Sequence, residues 1–308
     1  DLRRETGVPQ RRKKKMKLAT VDRNGEQVTA IVHENGERLL PIKEIASAVY
    51  PELECFQEGL QEIIAAGDMA IDALRELERK AAYPEEWIPA ADVKWLAPIP
   101  RPAKNIFCVG KNYAEHAIEM GSKADIPEHI MLFSKAPTSV TGHEQPVPLH
   151  EDVTEQLDYE GELAIIIGKK GRGIPKEEAF DYIFGYTILN DVTARDLQAR
   201  HKQFLLGKSL DGSCPMGPYI VHKSALPDPE NVKIVTKVNG EIRQNGHTGQ
   251  FIFKIPEMIE VLSKGMTVEP GDIIATGTPA GVGKGFNPPK FLKNGDKVEI
   301  EIEGIGTL

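Results

Sequence analysis

The chain has 308 residues, with 38 Lys and Arg against 46 Asp and Glu, a formal charge of −8, and three cysteines. That length has room for one large domain and a smaller one. No apolar stretch approaches the ~20 residues that cross a bilayer, no segment reads as a signal peptide, and Cys55, Cys108 and Cys214 show no pairing pattern. A soluble protein of a reducing cytoplasm is predicted, with each thiol structural and unreactive.

Residues 1–15 hold seven Lys or Arg against two acids and no apolar period, which predicts a disordered basic extension. Met16 opens a plausible start, Met16-Lys17-Leu18-Ala19-Thr20-Val21. The sharper alternative for the extension is a nucleic-acid-binding arm. Its net +5, taken from the total of −8, leaves −13 on the remainder. A body that acidic repels a phosphate backbone, so neither a nucleic-acid nor a membrane partner is predicted.

Residues 16–97 read as a small α+β domain. Asn24-Gly25 and Asn35-Gly36 stand between apolar stretches, a hairpin signal. Leu60, Ile63, Ile64, Ile71 and Leu74 carry helical spacing across Glu58 to Lys80, with Gly67 as a break. The proline-bearing segment Leu96 to Pro102 predicts a boundary, leaving 98–308 as a second domain.

Beyond it, His116 and Glu119 stand three residues apart and share one face of a helix. A carboxylate beside an imidazole orients the ring and favours its charged form, giving a usable general base. The plain alternative is a chance ion pair on a solvated helix.

Next comes Asp158-Tyr159-Glu160-Gly161-Glu162, followed by the apolar run Leu163 to Ile167. Side chains of a strand alternate with period two, so Glu160 and Glu162 point the same way at the mouth of a buried strand. At ~4 Å and an effective dielectric of ~20 their repulsion is about 4 kcal/mol, and a divalent cation would offset it. Phe184 to Asn190 reads as a second strand with Asp191 at its exit. Three carboxylates suit a hard ion, Mg2+ or Mn2+, and zinc is disfavoured because no Cys or His lies at ligand spacing. The alternative places Glu160 and Glu162 in solvent on an edge strand.

Arg195 and Gln198 follow Asp191 by about one and two helical turns and are candidates to contact a substrate's distal carboxylate or 2-oxo group. For Arg195 the alternative is a structural salt bridge to Asp196 or near Glu162. Lys208, between Gly207 and Ser209, reads alone as an exposed loop residue. A hairpin turn at Asn239-Gly240, a helix over Pro256 to Lys264 and a half-buried strand over Lys297 to Ile302 complete a strand-rich second half. Thr278, in the turn Gly277 to Gly283, is placed to offer a hydroxyl and an N–H to a carboxylate. That turn lacks the Lys-Ser or Lys-Thr of a P-loop, which argues against nucleotide binding. His143, His201, His222 and His247 receive no role, and Lys135 is left undecided.

In this order, Gly110-Lys111-Asn112-Tyr113-Ala114-Glu115-His116, Leu157 to Glu162, Asn190 to Asp196, Gly207-Lys208-Ser209, Val238 to Glu241 and Gly277 to Gly283 resemble the catalytic domain of the fumarylacetoacetate hydrolase family. The resemblance covers about Ile99 to Leu308. Lys111 to Met120, Pro127 to His143 and Arg200 to Gly217 are similar to its YisK-like group, in the bacterial branch of oxaloacetate decarboxylases and acylpyruvate hydrolases.

The resemblance implies an α+β fold with a mixed β-roll catalytic domain and a homodimer. It also implies that His116 and Glu119 form a dyad on a segment that orders over the metal, and that Lys208 lies near the substrate, where its charge stabilises an enolate or carboxylate. The expected substrate is a small 2-oxo mono- or dicarboxylic acid, with the metal acting as a Lewis acid toward the enolate left when a carbon–carbon bond breaks. Oxaloacetate decarboxylation is the first expectation because the resemblance is to the YisK-like group; release of CO2 then needs no attacking water. Acylpyruvate or fumarylpyruvate hydrolysis, with His116 and Glu119 activating water, comes second. Third is isomerisation or decarboxylation of a 2-hydroxymuconate-type acid. A metal-binding scaffold or localisation factor is the reading from another class, and the dyad, Lys208 and three acids argue against a dead site.

Overall fold

Strand Gly161–Ile167 is buried along its whole length, as an unbroken apolar run between two packed layers requires. Leu163, Ile165 and Ile167 enter one core with Ile188, Ile234 and Ile300. Ala164 and Ile166, on the opposite face, enter a second core with Leu18, Ile63 and Phe184. The computed structural model describes residues 14–81 and 84–308. The predicted basic extension therefore lies outside the described residues, apart from Lys14 and Lys15.

Around the central strand a mixed sheet is laid out. Ile183–Asn190 pairs antiparallel on one side and continues to Cys214–His222. Ile273–Ala275 pairs on the other side and runs parallel to Ile106–Gly110, which is followed by the edge strand Met131–Lys135. A four-stranded sheet, Glu241–His247, Lys233–Val238, Val298–Ile302 and Gly306–Thr307, packs over the first core. The chain is α+β, two large sheets and a short two-stranded one, Leu157–Asp158 with Thr193–Ala194, with helices at their margins. The second sheet presses hard on the backbone between the two glutamates: a Cβ at Gly161 would lie 2.3 Å from Thr236 Oγ1. Only glycine fits there.

In the N-terminal segment, Lys17–Arg23 and Glu26–Val32 form a hairpin through Asn24-Gly25, both at positive φ (57° and 86°), as that turn demands. Strand Lys17–Arg23 also pairs with Cys214–His222, in register Lys17↔Val221. Helices Leu60–Ala66 and Asp68–Lys80 break at Gly67 and bury Ile63, Ile71 and Leu74 in the second core. Residues 16–97 thus share a sheet and a core with the rest of the chain.

His222 closes this junction. It is 5% exposed, packs edge-on against Phe184, and has Asp68 Oδ1 3.8 Å from Nε2. Burial first, and then Arg75, push its pKa down to about 4, against a weaker pull from Asp68. Between about pH 6.5 and 4 the unfolded chain binds a proton that the folded one refuses. This contribution to stability is complete above pH 6.5 and is lost as pH falls toward 4. The drop in urea midpoint from pH 7 to pH 5 is expected to be smaller in His222→Gln than in wild type; equal drops would refute the assignment.

Candidate active site

Glu160 and Glu162 do point the same way. With Asp191, at the exit of the neighbouring strand, they form a buried group whose ligand oxygens all lie within 4.8 Å of one another. Backbone pairing fixes the arrangement. The Asp191 N–H donates to the Glu160 carbonyl at 2.8 Å, and the Glu160 N–H donates to Asn190 Oδ1 at 3.1 Å. Neither glutamate is on a solvent-exposed edge.

Cations crowd two of the three acids. Lys208 Nζ bridges Glu160 Oε2 (3.0 Å) and Asp191 Oδ2 (2.8 Å), Arg195 Nη1 pairs with Glu160 Oε1 (2.8 Å), and Lys135 Nζ pairs with Asp191 Oδ1 (2.8 Å). Burial disfavours the charged form of Glu160, but Lys208 and then Arg195 outweigh it and hold its carboxyl well below the usual range. Glu162 is the opposite case. Burial, then Asp191, then Glu160 raise it, outweighing the opposing charge of Lys208 and the Gly277 N–H at 2.9 Å, and among the described residues it makes no direct ion pair. A buried carboxylate left uncompensated beside two others, all hard oxygen donors, fits a divalent cation of the Mg2+ or Mn2+ kind.

The group opens into a cavity of ≈ 190 Å³, lined by His116, Glu160, Glu162, Arg195, Gln198, Lys208 and Thr278 among others. Seven of the nine predicted site residues therefore line one cavity, and the other two, Glu119 and Asp191, reach it through His116 and through Glu160, Glu162 and Lys208. His116, on helix Ala114–Met120, has Nδ1 2.8 Å from Glu119 Oε1. A carboxylate only accepts, so Nδ1 carries the proton and Nε2 is left as the basic atom. Glu119 is held in turn by the Gly281 N–H, 3.0 Å from Oε2.

Arg195 is fully buried, and of the two salt-bridge positions considered for it the structure has the one near Glu162, through Glu160, and not Asp196. Its Nε donates to Asp158 Oδ2 at 2.9 Å, and Asp196 instead accepts from Thr154 at 2.6 Å. Consecutive helical residues diverge by about 100°, so Arg195 and Asp196 cannot share a face. Gln198 Oε1 accepts from Arg195 Nη1 at 3.2 Å, and Arg195 Nη2 is buried without a hydrogen-bond partner. The Thr278 hydroxyl donates to the Gly161 carbonyl (2.9 Å) and accepts from Gln244 (2.7 Å), so it is engaged within the fold. Lys208 is 2% exposed, unlike the loop lysine its flanks suggest.

The glycine-rich turn presents its amides to the protein's own acids. Gly277 N–H meets Glu162, Gly281 N–H meets Glu119, and Gly283 N–H meets Asp158 Oδ1 at 2.7 Å. These amides, which a P-loop would turn on a phosphate, are taken by carboxylates of the chain itself. Sequence reasoning passed over Asp158, Gln244 and Lys284, and left Lys135 open. For Asp158 a signal existed, because the period-two argument that joins residues 160 and 162 reaches 158 as well.

The chain is similar to known proteins over most of its length. The family described as fumarylacetoacetate (FAA) hydrolase C-terminal matches residues 105–308. The chain is 55% identical over 298 residues to the oxaloacetate tautomerase YisK of Bacillus subtilis (strain 168), covering 95% of this chain and 98% of that protein. Among solved structures, a fumarylacetoacetate hydrolase from Exiguobacterium antarcticum superposes with a TM-score of 0.80 at 41% identity, covering 95% of this chain and 97% of that one. A maleylpyruvate hydrolase from Sphingobium sp. SYK-6, in complex with manganese(II) and pyruvate, gives a TM-score of 0.74 at 30% identity with the same coverage.

Proposed function

As the chain belongs to the fumarylacetoacetate hydrolase family, we propose that it is a divalent-metal-dependent enzyme acting on a small 2-oxo acid, with oxaloacetate decarboxylation to pyruvate and CO2 as its reaction. The observation that carries this reading is the buried Glu160, Glu162 and Asp191 group opening onto a small cavity that His116 also lines. Held by those three carboxylates, Mg2+ or Mn2+ supplies Lewis acidity toward a carbonyl oxygen.

The chain's own residues do the rest. Lys208 and Arg195 set positive charge along the wall where the substrate's oxygens gain negative charge, and the unpartnered Arg195 Nη2 is a donor for one of them. His116 Nε2 moves a proton at the carbon next to the 2-oxo group, with Glu119 fixing the ring. A cavity of ≈ 190 Å³ suits a substrate of few atoms.

A second reading is favoured by specific relatives. The Bacillus subtilis relative's name is an oxaloacetate tautomerase, and the same proton transfer at His116 without bond cleavage would interconvert keto and enol forms. The manganese-bound maleylpyruvate hydrolase supports acylpyruvate-type hydrolysis, with His116 and Glu119 activating water. A homodimer in the cytoplasm belongs to the proposal. The described residues include no helix long and apolar enough to cross a membrane, and all three cysteines are free.

Steady-state turnover with Mn2+ or Mg2+, comparing oxaloacetate with acetylpyruvate, separates the readings. Faster CO2 release from oxaloacetate is the expected result, with His116→Ala slowing the return of a proton to the enolate carbon while leaving CO2 release largely intact, since the carbon–carbon cleavage itself needs no activated water. Preference for acetylpyruvate, lost in His116→Ala, would make the protein a hydrolase. Rapid enol–keto exchange without CO2 would make it a tautomerase.

A further inference from the structure

Four cations line the cavity: Lys111, Arg195, Lys208 and Lys284. Three have acidic partners. Arg195 and Lys208 are held by Asp158, Glu160 and Asp191, and Lys111 Nζ lies 3.5 Å from Asp125. Lys284 alone has none for its ammonium among the described residues.

Its backbone, by contrast, is fixed. The Lys284 N–H donates to Asp158 Oδ2 at 2.9 Å, the carboxylate oxygen that also holds Arg195 Nε. On the other side the chain passes so close to the dyad that a Cβ at Gly285 would lie 2.4 Å from Glu119 Oε2. One acid therefore sets two cations at different depths. Arg195, 1% exposed and paired with Glu160, stands at the carboxylate end, and Lys284 is exposed at the mouth.

Resting on the 2-oxo acid reading above, we propose that Lys284 is a specificity-determining residue that pairs with a second carboxylate at the far end of the substrate. The enzyme then selects short 2-oxo dicarboxylates over monocarboxylates. A side chain on a pinned backbone loses little freedom beyond its own rotamers on forming such a pair, and its charge rewards an anionic group, which in a small 2-oxo acid is a second carboxylate.

The test uses Mn2+-loaded full-length protein and two stable 2-hydroxy acids, malate and lactate, which differ in the second carboxylate. Calorimetry on wild type is expected to give malate an advantage of about tenfold, the scale of one charge-assisted contact near solvent. Lys284→Gln should bring malate close to lactate without weakening lactate, and Lys284→Arg should restore the difference. With oxaloacetate, Lys284→Gln should raise KM and leave kcat nearly unchanged, and the wild-type preference should shrink as salt is raised. Since Lys284 contributes only its main chain to the Asp158 contacts, the variant keeps the site's geometry. An unchanged malate preference in Lys284→Gln, or its loss in Lys111→Gln instead, overturns the assignment while leaving the 2-oxo acid reading intact. Wild-type protein that binds Mn2+ but neither acid overturns that reading, and the role of Lys284 with it.

Discussion

Glu160→Gln is expected to lower kcat/KM for oxaloacetate by at least about a thousandfold and to remove the rise in Tm that Mn2+ gives the wild-type protein. The substitution keeps the shape of the side chain and deletes one anionic ligand from the group of three. It also takes one partner from Arg195 and one from Lys208, but Arg195 keeps Asp158 and Lys208 keeps Asp191. The metal-free fold should therefore survive. A ligand that binds only the native state stabilises it by about 2.7 kcal/mol at a hundred times its Kd, so wild-type Tm climbs with Mn2+ and the variant's does not. Thermal melts with and without Mn2+, set beside turnover, check this without relying on activity alone. Full turnover in Glu160→Gln would remove the metal from the mechanism.

The prediction could be framed from the sequence because local periodicity fixes which way neighbouring strand residues face. The pleat put Glu160 and Glu162 on one side, the helical repeat paired His116 with Glu119, and a second apolar strand ended at Asp191, but each pattern left a plain alternative open, and it was the family resemblance that chose between them. The Asn24-Gly25 and Asn239-Gly240 turns, with both residues of each at positive φ, and the Gly67 break were legible from local pattern in the same way. What remained hidden depends on pairs brought together from afar. Arg195 meets Asp158 across 37 residues, and Glu119 meets the Gly281 amide across 162. No period links such positions. The glycine-rich turn shows the limit most plainly: its composition suggests an anion cradle, and only the tertiary structure reveals that the anions are Glu119, Glu162 and Asp158. Lys135 and Lys208 were ambiguous because burial of a lysine beside a carboxylate leaves no mark on the flanking residues. The joining of residues 16–97 to the main sheet was equally unreadable, since strand register across 200 residues follows from packing and not from propensity.

Asp158→Ala is expected to cost about 3–5 kcal/mol of stability, the scale of stripping one partner from a buried charge pair, and to lower kcat/KM while Mn2+ still binds. The Asp158 side chain is fully buried, and it accepts from the N–H groups of Tyr159, Gly283 and Lys284 as well as from Arg195 Nε. Alanine would orphan those donors and leave Arg195 with Glu160 as its only acidic partner. None of the three proposed metal ligands is touched, so calorimetric Mn2+ affinity should change little. That split separates an orienting acid from a ligating one. Urea unfolding of Asp158→Ala, Arg195→Met and the double variant measures how much of the loss runs through the pair. If the two act as a unit, the double variant should be less destabilised than the sum of the singles, because methionine no longer needs the acid. A loss under about 1 kcal/mol in Asp158→Ala would mean that water replaces the carboxylate and that Arg195 is held by Glu160 alone.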